Sequence, residues 1–101
     1  MHVIARPTII KYIKEYPEVE EQLLTWLAEA EQARWTKPQD ITSRYNSADF
    51  PTNQHVIFDI KGNKYRLVVR IRYADLNSQG TIFIRWFGTH KEYDQLRLEN
   101  I

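Results

Sequence analysis

The sequence predicts a single α+β domain, with an N-terminal strand and two helices packed on a small antiparallel sheet, followed by a short C-terminal helix. Three observations support this. Apolar residues recur at helical spacing in the first third of the chain and at period two after residue 54. A Gly62-Asn63 pair separates two strand-like runs. At 101 residues and 43% hydrophobic content, there is material for one core and not for two.

Each element has a local reason. Val3-Ile4-Ala5 is a short apolar segment suited to an edge strand. Pro7 suits the first turn of a helix, and Ile9, Ile10, Ile13 and Tyr16 then recur with helical spacing. Pro17 stops that helix and begins the next. Glu18, Glu20 and Glu21 stand in the second helix's first turn, where the dipole favours negative charge. Val19, Leu23, Trp26, Leu27 and Ala30 form its apolar stripe, and Lys37-Pro38 lies beyond its end. Residues 38–54 are rich in Pro, Asp, Ser, Thr and Asn and read as a loop with one helical turn near Asp40 to Arg44. His55 to Ile60, Lys64 to Tyr73 and Thr81 to Phe87 alternate as strands, and residues 74–80 form a second turn. Gly88 ends the third of these strands, and Thr89 caps a terminal helix from His90 to about Leu98.

The Gly62-Asn63 turn sets a register. Lys61 faces Lys64, Asp59 faces Arg66, Ile57 faces Val68 and His55 faces Arg70 on one side. Ile60 with Tyr65, Phe58 with Leu67 and Val56 with Val69 fall on the other. One register thus sorts both strands into an apolar face and a cationic face, and a one-residue slip would bury the charges. In the last strand, Ile82, Ile84 and Trp86 are expected on the apolar face, and Phe83, Arg85 and Phe87 on the cationic one.

The formal net charge of +1 conceals this division. Residues 1–54 carry six Lys/Arg against eight Asp/Glu, whereas residues 61–91 carry Lys61, Lys64, Arg66, Arg70, Arg72, Arg85 and Lys91 against Asp75 alone. Local charge sets the field a ligand meets. A face of Arg and Lys with exposed aromatics suits single-stranded nucleic acid, with cations on phosphates and rings on bases.

Absences narrow the chemistry. The chain has no Cys, so disulfide frameworks, thiol nucleophiles and cysteine-based metal sites are excluded. No apolar run approaches transmembrane length, and no secretion signal is visible, so a cytoplasmic protein with no membrane partner is expected. The sequence lacks a Walker loop, G-x-S-x-G and H-E-x-x-H, and its three His are scattered, so no metal site and no cofactor are expected. What remains is chemistry by Arg, Lys, His and Tyr.

Cleavage of RNA by its own 2′-hydroxyl suits that set. It needs a proton acceptor, a proton donor and cations for the charge growing on the phosphoryl oxygens. His90 is the only His beside a strand end in the basic window, and an imidazole's ordinary pKa of about 6.5 suits either proton role. Tyr93 lies one turn on. Arg66 is the natural phosphate clamp, and Lys61 and Lys64 at the hairpin tip add charge stabilisation or act as base. Arg70, Arg72, Phe83, Arg85, Phe87 and Lys91 are the expected RNA-binding set.

Two runs carry a family resemblance. Val56-Ile57-Phe58-Asp59-Ile60-Lys61-Gly62-Asn63-Lys64-Tyr65-Arg66-Leu67-Val68-Val69 resembles the hairpin of the HigB toxins, within the RelE-like group of bacterial toxins. So does Ile84-Arg85-Trp86-Phe87-Gly88-Thr89-His90-Lys91-Glu92-Tyr93-Asp94. The resemblance implies one RelE-like toxin domain over residues 1–101 and an endoribonuclease that cuts messenger RNA, commonly on the ribosome. It also implies a HigA-like helix-turn-helix antitoxin, with operator DNA bound only through the antitoxin complex. Lys61, Lys64, Arg66, His90 and Tyr93 fall where the family keeps catalytic or phosphate-binding groups, although many members of the wider group have Arg where His90 stands. The competing expectation is a non-catalytic toxin or binding module on the same scaffold, acting on a target such as gyrase.

Overall fold

Six of the seven cross-strand pairs expected of the hairpin form, from His55 opposite Arg70 to Ile60 opposite Tyr65, while Lys61 and Lys64 belong to the turn that joins the two strands. A computed structural model describes residues 1–101, the side chain of Glu99 excepted. In chain order the elements are β1 (His2–Ile4), α1 (Arg6–Glu15), α2 (Glu20–Gln32), α3 (Pro38–Thr42), β2 (His55–Ile60), β3 (Tyr65–Arg72), β4 (Thr81–Thr89) and α4 (His90–Tyr93). Short 3-10 turns cover Pro17–Val19 and Leu98–Asn100. No helix among the described residues is long and apolar enough to cross a membrane.

The sheet order is β1-β4-β3-β2. β2, β3 and β4 are antiparallel, as expected, but β1 pairs parallel with β4, so the sheet is mixed. β1 ends at Ile4 and not at Ala5. Ala5 takes the left-handed conformation, φ 73°, and turns the chain directly into α1. Pro7 sits in the first turn of α1, and Pro17 opens the 3-10 turn that leads into α2. The helical turn expected near Asp40 begins earlier, at Pro38.

One core lies between the helices and one face of the sheet. Leu23, Trp26, Leu27 and Ala30 of α2 join Val56, Phe58, Leu67, Val69 and Ile82 there. Burial of each large side chain stabilises the fold by about 1.5–3 kcal/mol. Trp26 meets Phe58 edge-on at 5.3 Å between ring centroids.

β4 departs from the expected alternation. Val68 lies opposite Trp86, but the next residue, Val69, lies opposite Ile84. Arg85 is therefore an extra residue, a β-bulge, and everything after it changes face. Ile82, Ile84 and Phe83 stand where the period placed them. Trp86 and Phe87 are exchanged: Trp86 is on the cationic face, and Phe87 is in the core at 5% exposure. There Phe87 packs on Tyr12, Tyr16 and Tyr65, with centroids 5.4–5.5 Å away. Strict counting from Ile82 predicts the reverse because it assumes an unbroken ladder.

Gly88 does not end the strand. It pairs with Arg66, and β4 runs on to Thr89, opposite Tyr65. The expected terminal helix is also shorter. α4 is a single turn, and the chain then runs back until the main-chain oxygen of Ile101 lies 3.3 Å from His55 Nε2. Ile57 and Val68, which point away from the main core, are nevertheless 1% and 0% exposed. Ile57 and Val68 stand opposite each other, so the middle of the cationic face is covered.

Candidate functional site

The covered middle divides the cationic face into two ends. At the first, β3 presents Arg66 between Asp59 of β2 and Gly88 of β4. Arg66 Nε is 3.5 Å from Asp59 Oδ1, and both side chains are about one-fifth exposed. The guanidinium carbon stands 4.7 Å above the Tyr93 ring, a cation–π contact. Arg66 Nε is buried without a hydrogen-bond acceptor. That nitrogen faces the Asp59 carboxylate, so the remaining N–H groups of the guanidinium fork are the donors left for an anion.

Trp86 completes this end. Its ring lies 6.2 Å from that of Tyr93 and folds over Gly88. A Cβ at position 88 would stand 2.7 Å from Trp86 Cη2, so glycine is what lets the indole lie flat there. The sequence period did not identify Trp86 as part of a site. The available signal was the glycine two residues later on the same side of the strand.

α4 is held firmly for so short a helix. Glu92 N–H donates to Thr89 Oγ1 at 3.1 Å, and Thr89 N–H donates to Glu92 Oε1 at 2.8 Å, which forms a capping box. Tyr16 donates its hydroxyl to the same carboxylate at 3.1 Å, which ties α4 to the end of α1. The Thr89 main-chain and hydroxyl donors hold Glu92 below the usual carboxylate range. His90 N–H donates to the Lys64 carbonyl at 3.1 Å, and its Nδ1 is 3.7 Å from Asp94 Oδ2. Burial raises the Tyr93 hydroxyl pKa above that of an ordinary tyrosine, against the opposing pull of Arg66. Tyr93 therefore keeps its proton at neutral pH and is a donor, not a base.

Lys61 and Lys64 are placed differently. Their ammonium groups reach Glu18 Oε2 at 3.6 and 3.2 Å, on the helical side of the hairpin tip. Tyr65 also donates its hydroxyl to Glu18, and that bond pushes its pKa up to about 12. The same hydroxyl, followed by Lys64, lowers the pKa of Glu18. Of the five residues expected at the reactive centre, Arg66 and Tyr93 touch, His90 lies one turn from Tyr93, and the two lysines pair with Glu18.

At the second end, Arg70, Arg72, Phe83 and Arg85 line a groove of about 510 Å³. Phe83 is 39% exposed. Arg70 donates to the Gln54 amide oxygen, and none of the three arginines has a carboxylate partner among the described residues. Lys91 is exposed on α4. Phe87 lies in the core and faces neither end.

A family model described as a RelE-like toxic component of a toxin–antitoxin system matches residues 19–96. The chain belongs to the HigB toxin family. The matched span takes in α2, the hairpin, β4 and α4, so every residue at both ends of the cationic face lies inside it. A HigB-family toxin is one half of a toxin–antitoxin pair, so this chain has an antitoxin partner. No curated protein matches the chain.

Proposed function

We propose that this HigB-family toxin is an endoribonuclease that cuts messenger RNA at the Arg66 end of the cationic face, using its own side chains for proton transfer and charge stabilisation. The observation that carries the reading is the placing of Arg66, held between the Asp59 carboxylate at 3.5 Å and the Tyr93 ring at 4.7 Å. Arg66 holds the scissile phosphate and takes up charge as the 2′-oxygen attacks phosphorus. His90 accepts the 2′-hydroxyl proton. The bond to the 5′-oxygen breaks, and that oxygen leaves with a proton, giving a 2′,3′-cyclic phosphate and a 5′-hydroxyl. Tyr93, protonated at neutral pH, steers the phosphate or donates to it. The Trp86 ring offers a stacking surface for a neighbouring base. Lys61 and Lys64 add positive field from the hairpin tip while paired with Glu18.

The groove of Arg70, Arg72, Phe83 and Arg85 binds RNA away from the cut, and Lys91 extends the positive surface. The RNA is messenger RNA on the ribosome, in the cytoplasm. The antitoxin is a HigA-like helix-turn-helix protein, and the toxin meets operator DNA only through it. The test is to express the chain in a bacterium without its antitoxin and map the 5′ ends of transcripts. New ends that vanish with Arg66→Ala support the reading. Growth arrest without new ends sinks it, in favour of a non-catalytic toxin acting on a target such as gyrase.

A further inference from the structure

On the helical side of β2 lies a second cavity, of about 250 Å³, between α2 and the end of that strand. It shares Asp59 and Lys61 with the Arg66 end but lies on the other side of the strand. Two of its lining groups are buried and unpartnered: Trp26 Nε1, a donor, and Gln22 Oε1, an acceptor. They stand four residues apart on α2 and therefore on one face of the helix. Trp26 is 1% exposed, so its indole N–H has no water shell to fall back on.

The wall opposite α2 is a strand edge. β2 is the outermost strand of the sheet. Ile57 turns its N–H and C=O outward and bonds Asp49 through them, at 2.8 and 2.9 Å. Two residues on, Asp59 turns its main-chain groups the same way. They have no partner among the described residues. The cavity thus gathers an N–H and a C=O on one wall and a donor and an acceptor on the other. Charge adds direction. Glu29 is taken by Arg44 and Tyr45, and Asp59 by Arg66, while Glu21 at the rim has no ion pair among the described residues.

Peptide main chain is the ligand chemistry that answers all of these groups. A strand added at Asp59 continues the short bridge that Asp49 begins. Its outward N–H and C=O groups then lie toward Gln22 and Trp26. We infer that this cavity receives an extended segment of the antitoxin, with a Lys or Arg of that segment set against Glu21. The inference rests on toxin–antitoxin membership and is independent of the nuclease proposal.

The experiment titrates the whole chain, labelled with 15N at its three tryptophans, with the antitoxin encoded beside it. Trp26→Phe identifies the Trp26 indole signal. On complex formation that signal moves downfield, and its hydrogen exchange slows about tenfold or more. Thr25 is exposed at the cavity mouth, so Thr25→Trp fills the space without disturbing the core. It weakens antitoxin binding about tenfold or more and leaves thermal unfolding and RNA cleavage unchanged. Gln22→Leu weakens binding in the same direction. A complex that forms with the Trp26 signal unmoved, or that binds Thr25→Trp as tightly as the parent, overturns the inference and leaves the nuclease reading standing. A parent chain that cuts no RNA, yet shows the Trp26 shift with its antitoxin and the weakened binding of Thr25→Trp, leaves the inference standing and sinks the nuclease reading.

Discussion

At one end of the outer sheet face Arg66 is hemmed in by Asp59 and Tyr93; at the other, Arg70, Arg72 and Arg85 stand around an exposed Phe83 with no carboxylate beside them among the described residues. A paired, half-buried cation has few places to go, so it can hold one phosphate in one geometry. Unpaired arginines on an open surface keep their rotamer freedom and attract any stretch of phosphate backbone. The contrast teaches that a count of positive charges does not say what each charge does. Its neighbours decide whether it positions or merely attracts.

The bulge at Arg85 creates the contrast, because it sends Trp86 to the Arg66 end and Phe87 to the core. Phe87→Ala should destabilise the fold by about 3–5 kcal/mol in urea unfolding, the ordinary cost of emptying a buried phenyl site. Trp86→Ala should cost far less in stability and should act on cleavage instead. The opposite ranking would mean that the two rings occupy each other's places. Next in size is Arg66→Ala, expected to slow cleavage of bound RNA by about 10²–10³-fold in single-turnover assays. Arg66→Lys should recover little of this, since a point charge does not reproduce a bidentate fork.

Arg70→Ala, Arg72→Ala and Arg85→Ala should weaken RNA binding several-fold each and leave the rate of bound RNA unchanged. Each should reduce the slope of log affinity against log salt by about 0.7. A groove variant that slows the bound-state step, or an Arg66 variant that changes only the salt slope, would erase the distinction between the ends.

The smallest effect concerns the support of the first end. Glu92 has a lowered pKa in the fold, so its stabilisation is present above the ordinary carboxylate pKa of about 4.3 and is lost as pH falls through the lowered value. Unfolding midpoints measured between about pH 6 and pH 3 should fall more steeply for the parent than for Glu92→Gln, by a few tenths of a kcal/mol at this exposed site. RNA affinity at the groove should not follow that change.

Much of this was legible in the sequence. The hairpin register was readable because charge and apolarity alternate in both strands and agree on only one alignment. Arg66 beside Asp59 followed from it directly. Trp86 and Phe87 were not readable, because adjacent aromatics satisfy either face and a bulge leaves no mark in periodicity. The parallel pairing of β1 depends on contacts with Thr81 to Phe83, nearly eighty residues away in sequence, which local pattern cannot report. The pairing of Lys61 and Lys64 with Glu18 escaped notice for the same reason: the carboxylate belongs to a turn whose acidic residue looks like ordinary helix-start chemistry.

The bulge has one further consequence, for how such a chain tolerates change. Removing Arg85 alone would leave Ile84 opposite Val69 and Trp86 opposite Val68, so the strand would pair without interruption and Trp86 and Phe87 would keep their faces. Removing one residue from Trp86 to Gly88 instead would act as a frameshift in three dimensions, and the turn that carries His90 and Tyr93 would start half a pleat out of phase. Insertions in the loops at 43–54 or 74–80 leave that parity alone. Length variation among natural or engineered versions of this chain should therefore collect in those loops and at the bulge itself, and spare the four residues from Trp86 to Thr89.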